Sequence, residues 1–170
     1  MTGAAASTLQ APAPTGVDAP NPGAARNIPV RAPQSVLFAC TFNSVRSPMA
    51  EGLARAAFGR LAYFESVGLR PGELDSFAVA AMAEHDIDIS KHKPRTFEDL
   101  EDTSFDMIVT LSPESHHRAL KFTRTLATDV VYWPTLEPNV IQGSRDIMLE
   151  AYRNVRDTLE KRIFALMAPR

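Results

Sequence analysis

Two short apolar runs, each followed by a Ser-Pro pair, constrain the fold of this chain more than any other feature. The first run spans residues 35–40 (Ser-Val-Leu-Phe-Ala-Cys) and the second spans 105–111. The pairs Ser47–Pro48 and Ser112–Pro113 come after them and suit the N-cap and first position of a helix. Each unit is therefore predicted to be a buried strand, a loop and a helix.

The remaining segments continue this alternation. Further strands are predicted at 62–67 and 129–133, with an alanine-rich helix at 77–85 between them. Alternating strands and helices of this length imply right-handed βαβ units. We therefore predict an α/β fold, with a parallel sheet covered by helices on both faces.

The first and last helices carry more detailed predictions. The first is expected to start at Ser47–Pro48, to place Glu51 in its first turn and to end near Gly59. Ser144 is predicted to cap the last helix. Apolar residues follow at every fourth position of that helix: Ile147, Ala151, Val155, Leu159, Ile163 and Met167. We interpret this stripe as a face that covers the sheet, rather than a site for a partner.

The first 33 residues differ in composition from the rest, with nine Ala and six Pro. Such a segment buries too little apolar surface to offset the entropy of ordering it. We predict a disordered tail over 1–33 and one folded domain over 34–170.

Charge and cysteine content exclude several classes of function. With 18 Lys+Arg against 20 Asp+Glu, the chain lacks the net positive charge that is typical of a nucleic-acid binder. One cysteine forms neither an internal disulfide nor a cysteine-rich zinc site, and the adjacent His116 and His117 face different directions on a helix. No signal-peptide pattern or long apolar run is present, so we expect a cytoplasmic protein without a membrane partner.

The chemistry of the chain is predicted to centre on Cys40 and Arg46. Cys40 ends the first strand, and ligands of parallel sheets bind beyond the carboxyl ends of the strands. Loop amides and the following helix dipole form a cradle for a tetrahedral oxyanion, and the Arg46 guanidinium suits two of its oxygens. The same environment favours a nucleophilic thiolate. Ser47 is placed to donate a hydrogen bond to the sulfur, and Asn43 suits a left-handed backbone.

A free cysteine at a strand end is most often a small buried apolar residue. The arginine six residues after Cys40 and the serine seven residues after it favour the oxyanion site instead. The predicted phosphate-binding loop comprises Thr41, Phe42, Asn43, Ser44, Val45, Arg46 and Ser47.

These residues resemble a known family. The segment Val36–Gly52 is similar to the active-site segment of the low-molecular-weight protein tyrosine phosphatases and of the related thioredoxin-coupled arsenate reductases. The likeness covers most of 35–165: Glu65–Gly68 resembles the family's Ser-Ala-Gly turn, and Ile87–Arg95 resembles its GIDIS…HxxR stretch. The resemblance implies a three-layer α/β fold with a four-stranded parallel sheet.

The resemblance also implies a two-step mechanism without a metal or organic cofactor. Cys40 attacks phosphorus to give a phosphocysteine, Arg46 and the loop amides stabilise the transferring group, and an acid protonates the leaving oxygen. The implied substrate is a phosphorylated protein or a small aryl phosphate. Ser66 and His92 correspond to supporting residues that hydrogen-bond Asn43 and hold the loop, although the histidine pattern by itself also suits an exposed side chain.

Several residues depart from the family pattern. Glu137 stands where the family has the aspartate of its Asp-Pro acid, so we interpret Glu137 as the general acid, with Asp129 and Asp146 as weaker alternatives. Asn139–Val140 replace the aromatic residues that clamp a phenyl ring. Phe42 replaces a glycine of the loop, where its ring either walls the pocket or packs on the fold.

The cysteine count decides between the branches of the family. The reductases need further cysteines for a disulfide relay, and Ser112 stands where one of these occurs. We therefore favour a cysteine-dependent protein tyrosine phosphatase-like hydrolase. Arsenate reduction with an external thiol and non-catalytic oxyanion binding remain as alternatives, and the sequence leaves the oligomeric state open.

Overall fold

The computed structural model describes residues 31–169, which form a four-stranded parallel sheet in the order β2-β1-β3-β4. The strands and helices are β1 (Ser35–Ala39), α1 (Arg46–Phe58), β2 (Tyr63–Val67), α2 (Ser76–Ala83), β3 (Met107–Thr110), α3 (Pro113–Phe122), β4 (Asp129–Tyr132) and α4 (Arg145–Met167). Short 3₁₀ helices occur at Phe97–Asp99 and Pro138–Val140. Residues 1–30 of the predicted tail lie outside the described residues.

The two faces of the sheet carry separate apolar clusters, because successive strand side chains point in opposite directions. On one face Val36 and Phe38 of β1 pack in a cluster with residues of α1, α2 and α4. On the other face Leu37 and Ala39 join a cluster that includes Ala119 of α3. Helices therefore cover both faces, and the prediction of a three-layer α/β fold is confirmed.

The predicted start of α1 is wrong by two residues. The helix begins at Arg46 after Val45, and Ser47 lies inside its first turn with its hydroxyl near the sulfur of Cys40. The hydroxyl that the local pattern assigns to helix capping therefore lies against Cys40 instead. Glu51 is also not a first-turn acid: it lies one turn later, buried, and bonds Arg55 and Ser66. The predicted end is confirmed, since the Gly59 amide donates to the carbonyl of Arg55.

The other helix predictions agree with the structure more closely. Ser112 caps α3, with Pro113 as the first helical residue, and Ser144 caps α4. Helix α2 starts one residue earlier than predicted, because Asp75 supplies its cap. The apolar stripe of α4 is buried from Val155 onwards, whereas Ile147 is 55% exposed. Along residues 31–169, no helix has both the length and the apolar character needed to cross a membrane.

Candidate active site

Cys40 follows the last residue of the central strand β1, so its side chain lies at the carboxyl edge of the sheet. Its amide donates to the carbonyl of Val67 (3.2 Å), which continues the pairing of β1 with β2. Its Sγ lies 2.8 Å from Oγ of Ser47, and the residue is 2% exposed. The thiol is therefore held at the start of the loop, beside a hydroxyl on the first turn of α1.

The loop backbone is held against the segment that follows β2. The amides of Leu69 and Arg70 both donate to the carbonyl of Thr41. Gly68 permits this close approach, because a Cβ there would lie 2.7 Å from the amide nitrogen of Asn43. Asn43 itself has φ of 53°, in the left-handed region that asparagine tolerates better than most residues.

Asn43 uses its whole side-chain amide to fix this loop. Its Nδ2 donates to Oγ of Ser47 (2.8 Å) and of Ser66 (2.9 Å). Its Oδ1 accepts from the backbone amide of Arg95 (2.9 Å) and lies 2.9 Å from Nε2 of His92. The structure thus places Ser66 and His92 on Asn43, as the family resemblance implies.

A buried carboxylate completes this network. Ser66 donates to Oε2 of Glu51 (3.0 Å), and Nδ1 of His92 lies 3.4 Å from the same oxygen. Arg55 pairs with the other oxygen of Glu51 at 3.1 Å. Glu51 therefore holds the two side chains that hold Asn43, a role that its position in the sequence did not indicate.

Arg46 lies beside the loop, 6% exposed, and contacts the segment between β4 and α4. Its Nη1 donates to the carbonyl of Thr135 (3.0 Å), and its Nη2 lies 3.0 Å from Oε2 of Glu137. Nη2 also lies 3.4 Å from Oγ1 of Thr41. Residues 46 and 137, distant in sequence, therefore form an ion pair beside the loop that follows β1.

Burial raises the pKa of the Glu137 carboxyl above its ordinary range, and this effect outweighs the opposing attraction of Arg46. Asp75 adds to the rise by charge repulsion. A carboxyl group in such a place keeps its proton to a higher pH than an exposed glutamate does.

The two alternative acids lie elsewhere. Asp129 is the first residue of β4, at the amino edge of the parallel sheet, whereas Cys40 lies at the carboxyl edge. Asp146 is exposed in the first turn of α4 and lines a groove of about 700 Å³ beside that helix. Of the three predicted acids, the structure brings Glu137 to Arg46.

The remaining loop residues surround the site in different ways. The Phe42 ring is 43% exposed, with the guanidinium of Arg70 5.6 Å from its centroid. Thr41 donates to the hydroxyl of Ser112 (3.1 Å), and the carbonyl of Ser44 accepts from the amide of Asp75 (3.1 Å). Val45 is buried in the core.

Sequence reasoning missed Asp75 and Thr135. Asp75 precedes an apolar helix, so an N-cap signal was present. The carbonyl of Thr135 contributes through its backbone, which leaves no residue-type signal in a sequence.

The two adjacent histidines, His116 and His117, have different surroundings. His116 hydrogen-bonds Thr110 and stacks on Tyr132, whereas the neighbouring His117 is exposed. Within residues 31–169, one group of three side chains brings candidate ligand atoms within 4.8 Å of one another: His85, Asp157 and Glu160. It lies on the surface, where Asp157 already accepts from Arg156.

The family model described as "Low molecular weight phosphotyrosine protein phosphatase" matches residues 35–169. The chain belongs to this family. Among curated family relatives, an arsenate reductase of Halalkalibacterium halodurans is 31% identical over 128 residues, which cover 75% of this chain and 91% of the relative.

Solved structures of the family come from both branches. The low molecular weight protein tyrosine phosphatase of T. tengcongensis is 26% identical, with a TM-score of 0.64 over 79% of this chain and 97% of that one. An arsenate reductase of Archaeoglobus fulgidus is 28% identical, with a TM-score of 0.60 over 78% and 98%. Membership therefore indicates a cysteine-based phosphatase or arsenate reductase and leaves the branch to be argued from the site.

Proposed function

We propose that this protein is a phosphatase that hydrolyses aryl or protein tyrosine phosphate monoesters through a phosphocysteine intermediate. The observation that carries the proposal is the position of Glu137, whose carboxyl group lies 3.0 Å from Arg46 and has a raised pKa. Ester hydrolysis needs a proton for the leaving oxygen, and a carboxyl of raised pKa beside the anion site suits that task.

In the first step the thiolate of Cys40 attacks phosphorus, so that an S–P bond forms while the bond to the leaving oxygen breaks. Glu137 gives its proton to that oxygen. Loop amides and Arg46 stabilise the charge on the transferring oxygens. Ser47, 2.8 Å from the sulfur, holds the nucleophile in place.

In the second step the Glu137 carboxylate takes a proton from water, and the water oxygen attacks phosphorus. The S–P bond breaks, inorganic phosphate leaves and the thiolate of Cys40 returns. The Ser47 hydroxyl stabilises the departing thiolate, as a hydrogen bond to a charged group does.

The Phe42 ring supports an aryl ester as the substrate. It is half-exposed at the loop that carries Cys40, and Arg70 lies over the ring. Aromatic rings stack readily on such a surface. Asn139 and Val140 supply no aromatic wall, so Phe42 takes that role in the proposal. The proposed partner is a phosphorylated protein or a small aryl phosphate.

Arsenate reduction is a second candidate, favoured by curated relatives named arsenate reductase. The single cysteine then requires an external thiol such as glutathione. Cys40 displaces water from arsenate, the external thiol attacks the sulfur of the adduct and arsenite leaves with two electrons. A second external thiol reduces the resulting mixed disulfide, which restores Cys40.

Hydrolysis of p-nitrophenyl phosphate against pH tests the first proposal. Cys40→Ser should abolish turnover, and Glu137→Gln should lower kcat by about 100-fold or more and remove the limb of the pH profile due to the acid. Asp146→Asn is the matched control and should leave the rate unchanged. Turnover by Cys40→Ser would refute the mechanism, and an unchanged profile for Glu137→Gln would remove Glu137 as the acid.

Arsenite formation, measured with glutathione, with thioredoxin and with neither, tests the alternative. Efficient reduction with a thiol and negligible ester hydrolysis would favour the reductase. Phosphate binding without a burst of p-nitrophenol from the unaltered protein would favour a non-catalytic oxyanion-binding module.

A further inference from the structure

One nitrogen of the Arg46 guanidinium, Nη2, already contacts two neighbouring side chains. Nη2 contacts both the Glu137 carboxylate (3.0 Å) and the Thr41 hydroxyl (3.4 Å). A guanidinium has two edges that present paired N–H groups, and both edges include Nη2. An oxyanion gripped by two N–H groups must therefore take one of them from Glu137 or Thr41, and the charge of the anion repels the Glu137 carboxylate but not the neutral Thr41 hydroxyl.

One polar atom of Arg46 and one of Glu137 lack hydrogen-bond partners among the described residues. Within residues 31–169, Nε of Arg46 and Oε1 of Glu137 are buried and have no hydrogen-bond partner. Buried polar atoms without partners are costly, so an arrangement that satisfies both is favoured. An oxyanion supplies an acceptor to Nε, and a protonated Glu137 carboxyl has an O–H that can donate to an oxygen of the bound anion.

The charges around Glu137 determine its protonation state when Arg46 is withdrawn. Arg46 on α1 is the positive group that faces the carboxylate, and Asp75 ahead of α2 is a negative one. Tyr152 on α4 faces the same place, with its hydroxyl donating to Asp75 (2.7 Å). Without Arg46, burial, Asp75 and the bound anion all disfavour the carboxylate.

We propose that an oxyanion displaces Glu137 from Arg46, and that its binding is coupled to uptake of one proton by the Glu137 carboxyl group. The proton comes from solvent, and no covalent bond forms. Substrate binding thus protonates the acid that the chemistry then uses. The inference deepens the proposed function and rests on it, because it assigns the anion site and the acid to the same pair.

Sulfate binding to the full chain carrying Cys40→Ser tests this coupling. Sulfate remains a dianion over the range in which carboxyl groups titrate, and the serine removes the sulfur nucleophile from the site. Calorimetry in two buffers of different ionisation enthalpy measures the protons taken up. Above the raised pKa of Glu137 in the free protein, we expect uptake approaching one proton, with sulfate affinity falling by up to about tenfold for each unit that the pH rises.

Three further variants in the Cys40→Ser background separate Glu137 from other groups. Glu137→Gln should bind sulfate with little proton uptake and more tightly at neutral pH, because no carboxylate competes for Arg46. Glu137→Asp should retain uptake, which shows that the loss in the glutamine variant is due to the carboxyl group. Glu73→Gln, on an exposed loop residue, is the matched control and should behave as the parent.

Equal proton uptake with and without the Glu137 carboxyl, or no sulfate binding in the Cys40→Ser parent, would overturn the inference. The proposed function fails separately. Sulfate binding with proton uptake, but without hydrolysis of aryl phosphate, would support the coupling and refute the phosphatase. Hydrolysis without proton uptake would support the phosphatase and refute the coupling.

Discussion

Asn43 shows how much of the site depends on one residue. Its backbone is left-handed, and its side-chain amide contacts Ser47, Ser66, His92 and Arg95. These partners come from α1, from β2 and from the segment after α2. One asparagine therefore ties the loop that carries Cys40 to three parts of the fold.

Replacing Asn43 by Ala and by Gly separates its side-chain and backbone roles. Both variants lose the same hydrogen bonds, but only glycine adopts φ of 53° without strain. Asn43→Gly should therefore be more stable than Asn43→Ala by about 1 kcal/mol, measured as the free energy of unfolding in urea. Equal stabilities would contradict strain at this position.

Ser47→Ala should weaken catalysis, and it should also lower stability because the Ser47 hydroxyl accepts a hydrogen bond from Nδ2 of Asn43. The variant removes the hydroxyl 2.8 Å from the sulfur of Cys40. A hydrogen bond to a charged group contributes about 1.5–3 kcal/mol, so kcat/KM for an aryl phosphate should fall by about 10- to 100-fold. Ser90→Ala, at an exposed loop position, is the control. A rate equal to that of the control would show that the hydroxyl does not act on the thiolate.

Glu137 should make stability depend on pH. Its pKa in the folded protein is raised, so the folded state binds the proton more tightly than the unfolded state does. This contribution is fully present below the ordinary carboxyl pKa of about 4.3 and is lost as pH rises through the raised pKa. Unfolding in urea at several pH values should show the unaltered protein losing stability relative to Glu137→Gln as pH increases. A difference that does not vary with pH would contradict the raised pKa.

At the scale of elements, Asp75 connects α2 and α4 to the oxyanion loop. Its Oδ1 accepts from the amides of Phe77 and Ala78 at the start of α2, and its Oδ2 accepts from the Tyr152 hydroxyl on α4. Its own amide donates to the carbonyl of Ser44. The helices that cover one face of the sheet therefore meet the loop at this aspartate.

Asp75→Ala should destabilise the protein by about 1–2 kcal/mol, since it removes a helix cap. Asp75→Asn retains an oxygen that caps the helix, so this variant should lose less stability than Asp75→Ala. Tyr152→Phe removes only the hydrogen bond from the Tyr152 hydroxyl to Asp75, and it should lower the free energy of unfolding by about 1 kcal/mol. Thermal or urea unfolding measures all three. An alanine variant no less stable than the asparagine variant would show that the cap contributes little.

At the scale of the whole molecule, the parallel sheet brings distant segments to one edge. Cys40 follows the central strand β1, while Ser112 follows β3 and Glu137 lies beyond β4. The carboxyl ends of parallel strands share an edge, which is where such folds bind ligands. The site is thus a property of strand order as much as of the loop.

Inorganic phosphate should stabilise the whole domain, because a ligand that binds only the folded state shifts the unfolding equilibrium. At about 100 times the dissociation constant the expected gain is about 2.7 kcal/mol, visible as a rise in Tm. Arg46→Ala should remove most of this gain, whereas Arg124→Ala, on the surface after α3, should not. A rise of equal size in both variants would place phosphate elsewhere.

The order of strands and helices, and the position of the loop between Cys40 and α1, were predictable from the sequence. Periodicity, the cap at Ser112 and the spacing from Cys40 to Arg46 each involve residues that are close in sequence, so a short segment is enough to indicate them. The same local reasoning misplaced Ser47, because a hydroxyl that suits a cap also suits a sulfur that the loop brings near.

Only the tertiary structure decided which acid lies beside Arg46 and what holds it there. Asp129, Glu137 and Asp146 all carry a carboxyl group, and strand direction places Asp129 at the far edge of the sheet. The pairing of Arg46 with Glu137 spans a long stretch of chain and also depends on burial that raises a carboxyl pKa. Contacts of this kind result from how the strands are ordered and packed, which no short pattern encodes.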